Sequence, residues 1–231
     1  MATINVNPTQ DGFLIGAGST NFNTARSAAA SARANPGSTF TNSTAAQFQK
    51  YPGRGGSTYF FNRAAFGFNV TAYSSDTITN VSLRLTTSTT NNAVFYAVPF
   101  TGFGTTLGTA LTTSDWSKYT LDGSSYGNKT VSNSAGIQSI DLSGTALTNM
   151  FAAGYVKIGV IANYDYEAAD PTDAEVFDLL NLNFGSATNM QLRFDQASAG
   201  YGQNVIGIAS TSLSKVIGVT KSSISEVIGV S

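Results

Sequence analysis

The chain has 231 residues, of which 11% are charged, 42% hydrophobic and 11% aromatic, and its net charge is −1. A nucleic-acid partner is excluded on this basis, because no basic surface is available to neutralise phosphates. With 0 His and 0 Cys, so are a disulfide framework, Ser-His-Asp and Cys-His catalysis, and an ordinary zinc site.

Residues 3–6 (T-I-N-V) and 12–15 (G-F-L-I) are short apolar runs that read as strands. The opening M-A-T-I-N-V-N-P lacks the basic and apolar regions of a secretory signal. In 22–43, the alanines of T-A-R-S-A-A-A-S-A-R-A predict a short helix stopped by Asn35, Pro36 and Gly37. Y-P-G-R-G-G at 51–56 reads as a loop. From Tyr59 the pattern turns to β, with Phe60, Phe66 and Phe68 expected in the core. In T-I-T-N-V-S-L-R-L-T-T, Ile78, Val81, Leu83 and Leu85 are separated by polar residues, as on a half-buried strand. A-V-F-Y-A-V-P-F at 93–100 is a further strand closed by Pro99.

The stretch 102–134 is dense in Gly, Ser and Thr and holds the lone Trp116. Its G-F-G-T-T-L-G lacks the Lys and the strand-to-helix context of a phosphate loop, so it reads as a turn. I-Q-S-I-D-L at 137–142 is a strand, followed by a one-turn helix in S-G-T-A-L-T-N-M-F. Y-V-K-I-G-V-I-A-N-Y at 155–164 is the most hydrophobic strand, and N-M-Q-L-R-F at 189–194 is the last strong one. Many short strands with turn chemistry between them predict an all-β fold. The expected architecture is a jelly-roll β-sandwich over residues 1–200 with a short C-terminal repeat tail over 201–231. No apolar run is long enough to insert into a membrane.

Two groups of side chains are candidates for chemistry. The acidic run after the most hydrophobic strand contains Asp165, Glu167, Asp170, Asp173, Glu175 and Asp178. Its leading reading is a solvated loop. A Ca²⁺ site through Asp165, Glu167, Asp170 and Asp173 is the next, since hard oxygen ligands on a loop suit that ion. The central Gly and terminal Glu of an EF-hand loop are missing. A glycosidase pair ranks last, because such carboxylates come from separate strands lining a cleft. No other cofactor is expected. The aromatics Trp116, Tyr119 and Tyr126 sit in polar sequence and would offer sugar-stacking faces if exposed.

The end of the chain repeats. V-I-G-I-A-S-T-S-L-S-K, V-I-G-V-T-K-S-S-I-S-E and V-I-G-V-S follow one another, with Gly207, Gly218 and Gly229 at a period of eleven. A unit this short cannot bury its own apolar side chains and needs neighbours. The expected assembly residues are Val205, Ile206, Ile208, Leu213, Val216, Ile217, Val219, Ile224, Val227, Ile228 and Val230. Period eleven also fits a helix of about 3.67 residues per turn. The glycines and β-branched residues favour strand-turn units instead.

Two resemblances follow from these motifs. D-G-F-L-I at Asp11, R-A-A-F-G-F-N-V at Arg63, I-T-N-V-S-L-R-L at Ile78, S-I-D-L-S at Ser139 and Y-V-K-I-G-V-I at Tyr155 resemble, in that order, the jelly-roll modules of carbohydrate-binding type found in surface and virion proteins. The repeats at 212–219 and 223–230 resemble the S-I-S-K-V-x-G-V copies that end structural proteins of tailed bacteriophages. The resemblance implies a non-enzymatic virion component, a tail or head appendage or a capsid decoration protein. Its partners would be itself, most simply as a trimer, and other virion proteins. It would be assembled in the host cytoplasm and extracellular in the particle. A carbohydrate-binding module for host surface glycans is the alternative, and a glycan depolymerase the third reading.

Overall fold

A computed structural model describes residues 2–34, 43–90, 93–121, 123–131, 135–184 and 186–197, together with the backbone of 215–216 and 219–220. The strands are β1 (Ala2–Val6), β2 (Gln10–Gly16), β3 (Ala29–Ala34), β4 (Ser43–Gly53), β5 (Gly56–Asn69), β6 (Thr77–Thr90), β7 (Ala93–Pro99), β8 (Gly127–Val131), β9 (Gly136–Asp141), β10 (Tyr155–Ala162), β11 (Val176–Leu182) and β12 (Met190–Ala197). Three short helices, α1 (Phe22–Ser27), α2 (Thr145–Ala152) and α3 (Asn163–Tyr166), lie between them. The fold is all-β and sandwich-like. Among the described residues, no helix is long and apolar enough to cross a membrane.

The twelve strands form one hydrogen-bonded antiparallel network in the order β1-β12-β6-β11-β4-β5-β10-β7-β8, with β2 and β3 attached at β5 and β9 at β6. Two strands of 14 residues, β5 and β6, organise it. Along one edge of β5, β4 pairs with residues 56–62 and β10 with 64–69; β2 takes the opposite edge. Along one edge of β6, β12 pairs with 77–85 and β11 with 87–90, opposite β9. A strand that changes partner along its length passes from one packed layer towards the other, which lets a single network enclose a core. That core is rich in Phe: Phe48, Phe61, Phe66, Phe68, Phe95 and Phe194 are wholly buried. Phe66 and Phe68 are therefore core residues as expected, whereas Phe60 is half-buried and meets Tyr51 edge-on at 5.9 Å.

Local structure departs from the sequence reading at several places. The alanine run is not the helix. The helix takes the preceding residues, with Asn21 as its cap accepting from the Thr24 amide at 3.0 Å and Phe22 and Ala25 buried beneath it. The alanines form β3, paired along β2 from Gly12↔Ala34 to Gly16↔Ala29. Ladder bonds to a formed strand outweigh the small helix preference of alanine. The loop at 51–56 is a hairpin end, with Gly53 paired to Gly56 around Arg54 and Gly55. The helix after β9 has 8 residues rather than one turn. Three strands, β4, β8 and β11, had no counterpart in the sequence reading.

The alternation in β6 also has a defect. Ile78 and Val81 are an odd number of residues apart, so they cannot share a face of a regular strand. Asn80 and Val81 together oppose Phe194, since Ser82 pairs with Arg193 and Thr79 with Asp195. Asn80 absorbs the extra residue at φ 50°, a region that Asn tolerates better than most side chains. This bulge puts Ile78 and Val81 against the same core.

Beyond β12, Lys215–Val216 pairs antiparallel with Val219–Thr220. Of the assembly residues, Val205, Ile206, Ile208, Leu213, Ile217, Ile224, Val227, Ile228 and Val230 lie outside the described residues, and only the backbone of Val216 and Val219 is described.

Candidate functional site

The three aromatics expected at the surface are buried: Trp116 is 4% exposed, Tyr119 5% and Tyr126 3%. Thr113, Ser114, Ser117 and Lys118 face solvent while the rings of Trp116 and Tyr119 turn inward. Trp116 lies on a 3-10 turn, Thr113–Lys118, whose start is fixed by the Thr112 amide donating to Asp115 Oδ2 at 2.8 Å. Its indole Nε1 donates to the Arg26 carbonyl at 2.7 Å, and its ring stacks 4.0 Å from the Arg63 guanidinium carbon. The Tyr119 ring fills the space over Gly159 that any side chain there would take. Its hydroxyl donates to the Arg63 carbonyl at 3.3 Å, and burial raises its pKa well above the ordinary phenol value. The Tyr126 hydroxyl donates to Met150 Sδ at 3.2 Å and is pushed up to about 12 by burial. None of the three offers an open face to a sugar ring, which corrects the expected stacking platform.

The acidic run is divided among separate tasks. Asp165, on α3, is wholly buried. Arg63 donates to it twice, Nε to Oδ2 at 2.6 Å and Nη2 to Oδ1 at 2.8 Å. Arg26 Nε adds bonds to Oδ1 at 3.1 Å and to the Asp165 carbonyl at 2.9 Å. Arg63 Nη1 then reaches the Trp116 carbonyl at 2.8 Å. One carboxylate thus ties β5, α1, α3 and the 3-10 turn together. Asp170 is held by Lys50 Nζ at 3.1 Å and the Tyr59 hydroxyl at 2.8 Å. Glu167 and Asp173 are exposed. Among the described residues, no group of three or more acidic side chains is placed to hold a metal. Asp165 and Asp170 are engaged by cationic side chains, so the four carboxylates do not converge as a Ca²⁺ site requires.

The sequence reading missed Arg63 as a partner. The signal was present: an arginine inside the apolar run F-F-N-R-A-A-F must be paired if that strand is buried.

A cleft of about 590 Å³ opens between the start of β6, the end of β9 and α2. Its floor is aliphatic and aromatic: Leu142, Leu147 and Phe151 are buried, and Ile78 and Val81 half-buried. Its rim is polar, with Asp76, Thr79, Asn80, Asp141, Ser143 and Thr148, and among the described residues its lining contains no cationic side chain. Gln196 Nε2 donates to Asp76 Oδ2 at 2.7 Å. Asn80 Nδ2 donates to Asp195 Oδ2 at 2.8 Å and Thr3 Oγ1 to Oδ1 at 2.7 Å; these bonds hold the Asp195 carboxyl below its usual range. Gly144 opens α2 at φ 111°, a left-handed angle that favours glycine. No sequence motif marked this cleft, because its residues come from two segments far apart in the chain, 74–81 and 141–152.

No protein-family model matches the chain, and no curated protein matches it.

Proposed function

We propose that this chain is a non-enzymatic structural component of a phage virion that self-assembles or docks on the particle through residues 201–231. A jelly roll remains the arrangement we favour for the sandwich. The observation that carries the proposal is the threefold V-I-G repeat, whose valines and isoleucines recur at a fixed period without enough chain to bury one another. Two further observations support it. The charged side chains at the centre of the fold hold secondary structure together rather than line an opening. In the cleft, Asp141 is exposed and Asp76 is bonded to Gln196, unlike an opposed, sealed acid–base pair. With Trp116, Tyr119 and Tyr126 buried, glycan recognition loses the faces on which it was expected to rest.

The test is the solution mass of the full chain against a chain ending at Gln203, by light scattering at matched concentration. The expected result is an oligomer that becomes a monomer on truncation. Two monomers would refute self-assembly through the repeats.

A further inference from the structure

We propose that the cleft between β6, β9 and α2 is the receptor for the lysine-flanked repeat, residues 215–221, of a neighbouring copy of the chain. The inference rests on the assembly reading and gives the repeat a partner surface.

Chemistry provides the first argument. The segment K-V-I-G-V-T-K sets Val216, Ile217 and Val219 between Lys215 and Lys221, the only two cationic residues beyond residue 197. The cleft presents the complement: an apolar floor of Ile78, Val81, Leu142, Leu147 and Phe151, and a rim with Asp76 and Asp141 and, among the described residues that line it, no opposing cation. Apolar side chains leaving water supply affinity, while the paired charges set register. The volume lies within the roughly 300–1,000 Å³ of sites that enclose a small ligand or a few residues of peptide.

The path of the chain is the second. β12 ends at Ala197, paired with Thr77, and the adjacent Gln196 holds Asp76 at the rim. Each copy therefore releases its tail beside its own cleft. Residues 198–214 span up to about 60 Å if extended, enough to reach another molecule. A cleft-to-tail contact is heterologous and closes into a ring when the rotation permits, as a cyclic trimer requires.

The test keeps the full chain and swaps charges. Asp141→Lys reverses an exposed rim residue, and Lys215→Glu with Lys221→Glu reverses the segment. Each variant alone should weaken self-association at least about tenfold by light scattering. Both sets in one chain should restore it. Mixing the cleft variant with the tail variant should give hetero-oligomers by native mass spectrometry, because the tail of either variant meets the cleft of the other with opposite charge. Thr148→Trp, at an exposed position of α2, should block association without reversing any charge. Far-UV circular dichroism on each variant separates a lost contact from a lost fold. Folded variants that associate like the parent chain overturn the cleft as receptor while leaving repeat-driven assembly intact. Restoration in one chain without hetero-oligomers on mixing overturns the neighbour as donor. A monomeric parent chain overturns the assembly reading itself.

Discussion

The two long strands of this fold have the same length and the same number of partners, yet their surroundings are opposite. β5 is buried at every residue from 61 to 68. One of its faces carries Ala64, Phe66 and Phe68; the other carries Arg63 and Gly67, over which Trp116, Tyr119, Phe103 and Leu107 close. β6 buries Leu83 and Leu85 but leaves Ile78, Thr79 and Val81 half-exposed where the cleft opens. The difference comes from what covers each strand. A 3-10 turn and α1 seal β5 and are fastened by a buried ion pair, whereas a cleft separates the start of β6 from the eight-residue α2. Sealing favours stability, and incomplete cover leaves a surface for recognition.

Breaking the seal should have the largest effect. Asp165→Ala leaves Arg63 buried without its counter-charge and should cost about 3–5 kcal/mol in urea unfolding. Arg63→Leu with Asp165→Ala should cost clearly less than the sum of the single changes, because the two share one interaction. A loss below about 1 kcal/mol for Asp165→Ala would mean that water reaches the pair, and the contrast with β6 would fail. Trp116→Phe keeps most of the ring but removes the donor to the Arg26 carbonyl, for an expected loss of about 1–3 kcal/mol.

Acidity sharpens the comparison. Burial raises the Asp178 carboxyl from 3.8 to about 6, and Asp11 is raised to about 6 by the same cause. Between about pH 4 and 6 the folded state holds protons that the unfolded chain has released, so stability falls as pH rises through that window. Asp178→Asn should therefore stabilise the protein by about 1 kcal/mol at pH 7.5, allowing for partial solvation of the group, and the gain should vanish near pH 4. Thermal midpoints of the two chains across pH 4–8 provide the check. On the open side, Asp141→Asn and Thr148→Ala should change stability by no more than about 0.5 kcal/mol. A larger loss would make the cleft a structural element of the fold rather than an open surface.

Much of the fold was legible where a single periodic signal acted alone. β2, β5, β7, β9, β10 and β12 lie where apolar runs or alternation put them. β8 was missed because G-N-K-T-V has little apolar content: its residues 128–130 are exposed, and it exists through its ladder to β7. β11 was missed because V-F-D-L-L-N-L has no clean alternation and takes in Asp178 at the end of the acidic run. The alanine segment was misread because intrinsic preference is weak beside a strand that offers a partner. The candidate aromatics were misread because polar sequence neighbours say which residues reach water, not which way the ring between them points.

By itself, the sequence determined the chemistry open to this protein. Without His or Cys, and with few charges, it builds a β fold from aromatic strands and hydroxyl-rich turns, and its last stretch repeats with a period of eleven. Those properties depend on residue type and local spacing. Tertiary structure alone decided that Arg63 meets Asp165 across 102 positions, that Trp116 faces inward, and that residues 74–81 and 141–152 frame a cleft. The reason is physical. Burial and charge pairing are properties of surfaces brought together by the sheet, and in an antiparallel network those surfaces are contributed by segments far apart in the chain.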